Sequence, residues 1–287
     1  MTTQRSLGTR VLRTATLLCL LLFGLLACCA DGLFYHPSAT VYATPESYGL
    51  TGVEEVSFAA PGGPSLHGWW LPAQGEPRGS VVYCHGNAAN LTLHARYVAW
   101  LPARGFNVLI FDYRGYGRSQ GAVTRAGTVE DAVAAIDVAL ARDPDRVVVF
   151  GHSLGGAVGL RAAAERPAVR GVIAESTFSN YREIAAAKVP WISWLVPLVV
   201  SAGLDPDAVL SRLSPAPVLV IHGERDHIVP VEVGERLFER ASEPKEIWKV
   251  PEARHMSPWA LRSRRDEFER RFEAFFDRAL ASARRPG

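Results

Sequence analysis

Cysteine is scarce in this chain of 287 residues: Cys19, Cys28 and Cys29 lie in the N-terminal segment, and Cys84 sits inside an apolar run. Four cysteines so unevenly spread exclude a disulfide framework, and Cys84 reads as a small core residue. Neither sign of charge is in excess, with 31 basic and 29 acidic side chains for a net charge of +2. The positive field that draws nucleic acid is therefore missing, and no nucleic-acid partner is expected. The histidines show neither His-Glu-x-x-His spacing nor clustering with cysteine, so no metal is expected. A dinucleotide fingerprint and the Gly-x-x-x-x-Gly-Lys-Ser/Thr phosphate loop are also lacking, and with them any sign of a cofactor. No repeat or low-complexity linker divides the chain. With 48% of its residues apolar it can bury a sizeable core, and one large domain is the simpler reading.

What is present begins with a targeting segment over residues 1–29. Arg5, Arg10 and Arg13 precede an apolar run from Ala15 to Ala27, the layout of a bacterial export signal. Leu25-Leu26-Ala27-Cys28 is similar to a lipobox, which makes Cys28 the expected lipidated N-terminus after cleavage, although Leu26 stands where a smaller residue is usual. The competing reading is an uncleaved anchor helix over Val11 to Ala30, long enough nearly to span a bilayer. Both tether the chain to the cell envelope. The arginines ahead of the run place the domain at residues 30–287 outside the cytoplasm.

From about residue 52, short β-rich runs alternate with helical stretches, the pattern of a parallel sheet covered on both faces. Eight strands are expected: Glu54 to Ala59, Leu66 to Leu71, Ser80 to Cys84, Asn107 to Phe111, Arg146 to Phe150, Gly171 to Glu175, Val218 to His222 and Glu246 to Val250. The first two are joined by Pro61-Gly62-Gly63-Pro64 and should form an antiparallel hairpin. Helices are expected over Leu91 to Arg104, Val129 to Arg142 with Thr128 as its cap, Leu154 to Glu165, Val231 to Arg240, and Arg262 to Ala281. An insertion at 178–214 carries a proline-broken apolar run from Val189 to Val200. It reads as a small cap, with three roles open: a buried crossover helix, an apolar wall for an acyl chain, or a membrane contact.

Candidate chemistry starts where Val147-Val148-Val149-Phe150 runs into Gly151-His152-Ser153-Leu154-Gly155-Gly156 and then into a helical pattern. A serine on a sharp strand-to-helix turn has a protruding hydroxyl, and the next N–H sits at a helix N-terminus. Serine is a poor nucleophile near neutral pH and needs a base, itself oriented by an acid. In this arrangement the partners follow the serine in the order acid, then histidine. Asp226, after the seventh strand, and His255, after the eighth, fit that order at the carboxyl edge of the sheet. Glu175 is the rival acid, and His152 should point away from the site if Ser153 points in. The oxyanion produced by attack on a carbonyl needs two N–H donors; the expected pair is Leu154 and, in the loop after the third strand, Asn87.

With those motifs in place the chain resembles the α/β-hydrolases, and within them the Bem46-like group of serine hydrolases. The resemblance runs from about residue 35 onward. It is carried by Leu66-His67-Gly68-Trp69-Trp70-Leu71-Pro72, His85-Gly86-Asn87-Ala88, Phe111-Asp112-Tyr113-Arg114-Gly115-Tyr116-Gly117-Arg118-Ser119, the Ser153 motif and Gly223-Glu224-Arg225-Asp226. It implies an α/β-hydrolase fold, a triad of Ser153, Asp226 and His255, oxyanion contacts near Asn87 and Leu154, and a structural role for Asp112 to Ser119, with Arg114 ion-paired beneath the site. The expectation is thus a membrane-tethered serine hydrolase acting on a small-molecule or acyl ester or thioester. An acyltransferase or peptidase would use the same residues, and a non-catalytic envelope scaffold would keep the fold without using them.

Overall fold

Short apolar runs bounded by turn residues become eight strands: β1 (Glu54–Phe58), β2 (Leu66–Leu71), β3 (Gly79–Cys84), β4 (Phe106–Phe111), β5 (Val147–His152), β6 (Gly171–Glu175), β7 (Val218–Gly223) and β8 (Lys245–Val250). The computed structural model describes residues 8–18, 21, 24, 34–255 and 260–281. All eight strands lie in one sheet of order β8-β7-β6-β5-β3-β4-β2-β1. Strands β3 to β8 are parallel to one another, whereas β2 is antiparallel to both β4 and β1. The hairpin and every strand run expected from sequence are present, each end within two residues.

The period-two alternation of side chains divides the apolar runs between two layers. Val82, Leu109, Val149 and Val220 pack with Ala132, Ile136, Leu160 and Leu237 on one face. Val81, Tyr83, Val148, Phe150 and Ile221 pack with Leu91, Tyr97, Phe268, Phe272 and Phe276 on the other. Cys84 is fully buried in the first of these layers as a small core residue, and burial pushes its thiol up to about 12. The chain steps from β3 outward to β4, then crosses back over β3 to β5 and continues in the other direction. The crevice between the carboxyl ends of β3 and β5 is therefore the topological switch point, where open α/β sheets bind ligands.

Three helix boundaries differ from the sequence reading. The stretch expected as one helix over Leu91 to Arg104 is a single turn, α1 (Leu91–His94), followed by 3-10 turns at Ala95–Tyr97 and Pro102–Arg104. Pro102 has no N–H to continue the ladder, and the indole of Trp100 donates to the Tyr97 carbonyl at 2.9 Å. Helix α2 (Arg125–Arg142) starts a turn early: Thr124 caps it, accepting from the Gly127 N–H at 2.9 Å, while Thr128 is internal and donates to the Arg125 carbonyl. Arg125 is drawn into that first turn because its guanidinium lies 4.0 Å over the Tyr181 ring and its Nη1 donates to the Ser201 carbonyl. Helix α3 (Leu154–Ala164) is as expected, and the C-terminal helix begins at Arg265 instead of Arg262, after a turn in which Arg264 N–H donates to Leu261.

The insertion folds as α4 (Tyr181–Lys188), a 3-10 segment (Pro190–Leu195) and α5 (Val196–Val199). Pro190 and Pro197 start the two later pieces, so no continuous crossover helix is buried there. Residues 8–18 are helical. No helix among the described residues is long and apolar enough to cross a membrane, and Cys28 lies outside the described residues.

Candidate active site

Between β5 and α3 stands Ser153 alone, at φ 55° and ψ −123°, a positive φ that few residues other than glycine adopt. The surrounding glycines meet a different need, close approach. A Cβ on Gly155 would overlap the carbonyls of Cys84 and His85, one on Gly151 would overlap that of Gly155, and one on Gly156 would meet Thr177. The motif thus lets the first turn of α3 lie directly on the neighbouring strand ends. The turn is held from both sides: Ser153 N–H donates to the Glu175 carbonyl at 2.8 Å, and the Ser153 carbonyl accepts from Gly156 N–H at 2.9 Å and from Thr177 Oγ1 at 2.5 Å.

His255, from the loop after β8, places Nε2 2.9 Å from Ser153 Oγ and Nδ1 2.8 Å from Asp226 Oδ2. The other oxygen of Asp226, Oδ1, accepts from the N–H groups of Ile228 and Val229, both at 2.8 Å, which fixes the carboxylate plane. Burial by itself would raise the Asp226 carboxyl, but the bond and charge of His255 and the two amides outweigh it and hold the group below its ordinary value. Burial pushes the His255 imidazole down; Asp226 opposes this and neighbouring His152 adds to it. A neutral imidazole with its proton on Nδ1, facing Asp226, turns the Nε2 lone pair toward the serine hydroxyl. That arrangement is able to accept the hydroxyl proton and then carry positive charge beside a carboxylate.

Asn87 and Leu154 line the same cavity as Ser153, a space of about 190 Å³ also walled by Phe34, Phe178, Lys188 and Ile228. Leu154 is the first residue of α3, so its N–H has no partner within the helix. The Asn87 loop is clamped by a strap at residues 36–42. His36 N–H donates to Asn87 Oδ1 at 2.8 Å, and Asn90 Nδ2 donates to the carbonyls of Ser38 and Thr40, both at 2.8 Å. All five residues expected at the site from sequence are therefore brought to one crevice.

Two expectations are refined. Arg114 grips Asp131 and Glu130 on α2, so it ties its loop to a flanking helix and not to the floor of the site. His152 is buried, with Nδ1 3.4 Å from Glu175 Oε2 and its ring 5.1 Å from that of His255. It backs the base instead of turning away from it. Glu175 faces His152, and Asp226 is the carboxylate that reaches His255. Phe34, Phe178, Lys188 and Ile228 were not legible as site residues, since no local spacing marks a side chain that arrives at a cavity from a loop.

Similarity to known proteins places the fold that carries this site. A family described as serine aminopeptidase, S33, matches residues 75–214. The Escherichia coli K12 protein YfhR is 36% identical over 242 residues, covering 81% of this chain and 82% of its own length. The Arabidopsis thaliana α/β hydrolase domain-containing protein WAV2 is 30% identical over 226 residues, covering 72% of this chain and 73% of its own. The chain belongs to the α/β-hydrolase superfamily. The solved structure of the Pyrococcus furiosus esterase Pf2001 shares the fold with a TM-score of 0.71 at 23% identity, over 85% of this chain and 98% of the esterase. As an α/β-hydrolase of serine-hydrolase type, the chain carries its Gly-x-Ser-x-Gly on the strand-to-helix turn that exposes the hydroxyl at the top of the sheet in this fold.

Behind the site lies a cluster of buried imidazoles with a consequence for stability. His85 donates from Nδ1 to the Gly86 carbonyl, His94 from Nε2 to that of Ala88, and His222 from Nε2 to that of Val229. The second nitrogen of each is buried with no hydrogen-bond partner among the described residues. Burial lowers all three below the ordinary 6.5. As pH falls below 6.5 the unfolded chain takes up protons that the folded protein refuses. Their contribution is therefore intact above that pH and is lost below it, by up to about 1.4 kcal/mol per pH unit for each histidine. Urea denaturation at stepped pH should show stability dropping between neutral pH and pH 5, with a shallower drop in His94→Gln. A flat profile over that interval contradicts the assignment.

Proposed function

We propose that this chain is a membrane-tethered hydrolase of carboxylic esters or thioesters, of the Bem46-like kind, working through an acyl-enzyme on Ser153. The observation that carries the reading is the unbroken hydrogen-bonded path from Asp226 through His255 to Ser153 Oγ at the floor of an open cavity. In the first half-reaction Oγ attacks the substrate carbonyl carbon and its proton passes to His255 Nε2. The oxyanion faces the N–H groups of Leu154 and Asn87, each worth on the order of 3 kcal/mol of transition-state stabilisation. Collapse breaks the carbonyl bond to the leaving oxygen or sulfur, which takes the proton from His255. Water then repeats the sequence and frees the acid and Ser153. Asp226 keeps the imidazole in the Nδ1–H form and stabilises the imidazolium.

An aminopeptidase would also need a carboxylate to hold the free ammonium of its substrate. Among the described residues, those lining the Ser153 cavity offer no carboxylate, and Lys188 is a cation. An apolar acyl group suits Phe34, Phe178, Ile184 and Ile228 better. The reading of a tether in the cell envelope, with the domain outside the cytoplasm, is supported by the apolar segment that follows Arg5, Arg10 and Arg13 and by Cys28.

The test is a fluorophosphonate probe on the full-length protein in detergent, expected to label one peptide, that bearing Ser153. A parallel series of p-nitrophenyl esters from acetyl to palmitoyl, beside matched thioesters and amides, should show turnover of the first two and little of the third. Absence of labelling in well-folded protein favours the scaffold. Partition of the full-length protein into the aqueous phase on detergent phase separation removes the tether.

A further inference from the structure

From Val189 to Leu204 the chain carries no Asp, Glu, Lys or Arg. This stretch is turned outward: Trp191 is 77% exposed, Trp194 71% and Leu198 57%. Contiguous exposed apolar side chains of this size mark a contact surface, and tryptophan in particular prefers the boundary between lipid and water. The backbone of the cap is also partly provided for, because Arg182 donates to the carbonyls of Val200 at 2.9 Å and Pro197 at 3.1 Å.

Beneath the tryptophans lies a second cavity of about 430 Å³, walled almost wholly by apolar side chains including Val189, Ile192, Leu195, Val196 and Val199. It shares Phe34, Ala185 and Lys188 with the cavity that holds Ser153. The apolar cavity of the cap therefore adjoins the one that holds Ser153, with Phe34, Ala185 and Lys188 between them.

Phe34 also marks where the chain arrives from its N-terminal segment. Its ring stands edge-on to Tyr181, with centroids 5.2 Å apart. Cys28 is six residues earlier, and six residues reach at most roughly 20 Å. A tether at Cys28 thus leaves the domain beside the cap and holds the exposed tryptophans near the bilayer.

We propose that the cap is a lipid-docking surface: Trp191, Trp194 and Leu198 enter the interface of the bilayer that holds the tether, and the apolar cavity receives the acyl chain of a membrane-resident ester or thioester. The docking rests on the cap geometry and the tether, and the passage of an acyl chain to Ser153 rests in addition on the hydrolase reading. A lipid surface suits this face better than a protein partner because the stretch has no charged group with which to select one, and because the tether brings lipid to it.

The experiment uses full-length protein in phosphatidylcholine vesicles whose acyl chains are brominated near the carbonyl end. Tryptophan emission of the wild type should be quenched relative to unbrominated vesicles, and in the Trp191→Ser, Trp194→Ser double variant most of that quenching should disappear. The variant should hydrolyse soluble p-nitrophenyl acetate at the wild-type rate and lose about tenfold on a long-chain ester embedded in the vesicle. Equal quenching in both proteins overturns the docking, as does an equal loss on both substrates. A second copy on the cap would appear instead as a detergent-stable dimer abolished by the double substitution, without lipid quenching. If neither protein turns over the soluble ester, the hydrolase reading fails, while the quenching still decides the docking.

Discussion

Ser153→Ala should lower kcat by about 10⁶ and leave the fold in place. The loss follows from removing the atom positioned to form the acyl-enzyme: among the described residues, Oγ of Ser153 is the hydroxyl 2.9 Å from His255 Nε2. What survives would be the oxyanion donors and substrate binding, which in serine hydrolases retain roughly 10³–10⁴ over the uncatalysed reaction. The fold should tolerate the change because alanine keeps the Cβ, so the backbone at φ 55° is no more strained than before. The two backbone bonds that pin the turn, from Ser153 N–H to Glu175 and from Gly156 N–H to the Ser153 carbonyl, do not involve the hydroxyl. Active-site-titrated kinetics on a short ester, paired with a urea midpoint, measures both halves. Residual kcat within tenfold of wild type, after exclusion of contaminating enzyme, would remove Ser153 from the mechanism.

Asp226→Asn is expected to cost about 10⁴ in kcat with little change in fold. The asparagine oxygen is able to keep the bonds from Ile228 and Val229, but its NH₂ then faces His255 Nδ1 and demands an acceptor there. The imidazole proton moves to Nε2, which points at Ser153 Oγ with a hydrogen instead of a lone pair. The pH profile gives a second reading. In the wild type, burial lowers the His255 imidazole, so kcat/KM should be level near neutral pH and fall as pH drops through a value below 6.5. Asp226 opposes that lowering, so in its absence the acid limb should move to still lower pH. Movement of the limb upward, or a loss in kcat of less than tenfold, would show that another group orients the base. Glu175, facing His152, would be the first to examine.

Local patterns were sufficient wherever a structural demand is met by neighbours in the chain. Val147 to Phe150 alternate between two buried layers, and a run apolar at every position is what a strand covered on both faces needs. The Ser153 turn was legible for the same reason: the glycines that allow contact with Cys84, His85 and Thr177 lie within three residues of the nucleophile. Leu91 to Arg104 misled because helical spacing there is real over one turn, and beyond Tyr97 the Trp100 indole and Pro102 keep a helix from resuming through single atoms that a periodicity does not weigh. Thr128 misled because the cap position depends on Arg125 finding Tyr181 and Ser201, far along the chain.

By itself the amino-acid order determined the sheet, its hairpin, the exposed turn that carries Ser153 and the succession of Asp226 and His255 after it, since apolar period, turn glycines and chain order act over short distances or survive any register. Only the tertiary structure decided that Asp226, not Glu175, reaches His255, that His152 backs the base, and that Phe34 and Lys188 join the Ser153 cavity to the one under the cap. Those outcomes depend on how far each strand end projects at the switch point and on which loop folds over it. Such distances are set by packing among residues far apart in the chain.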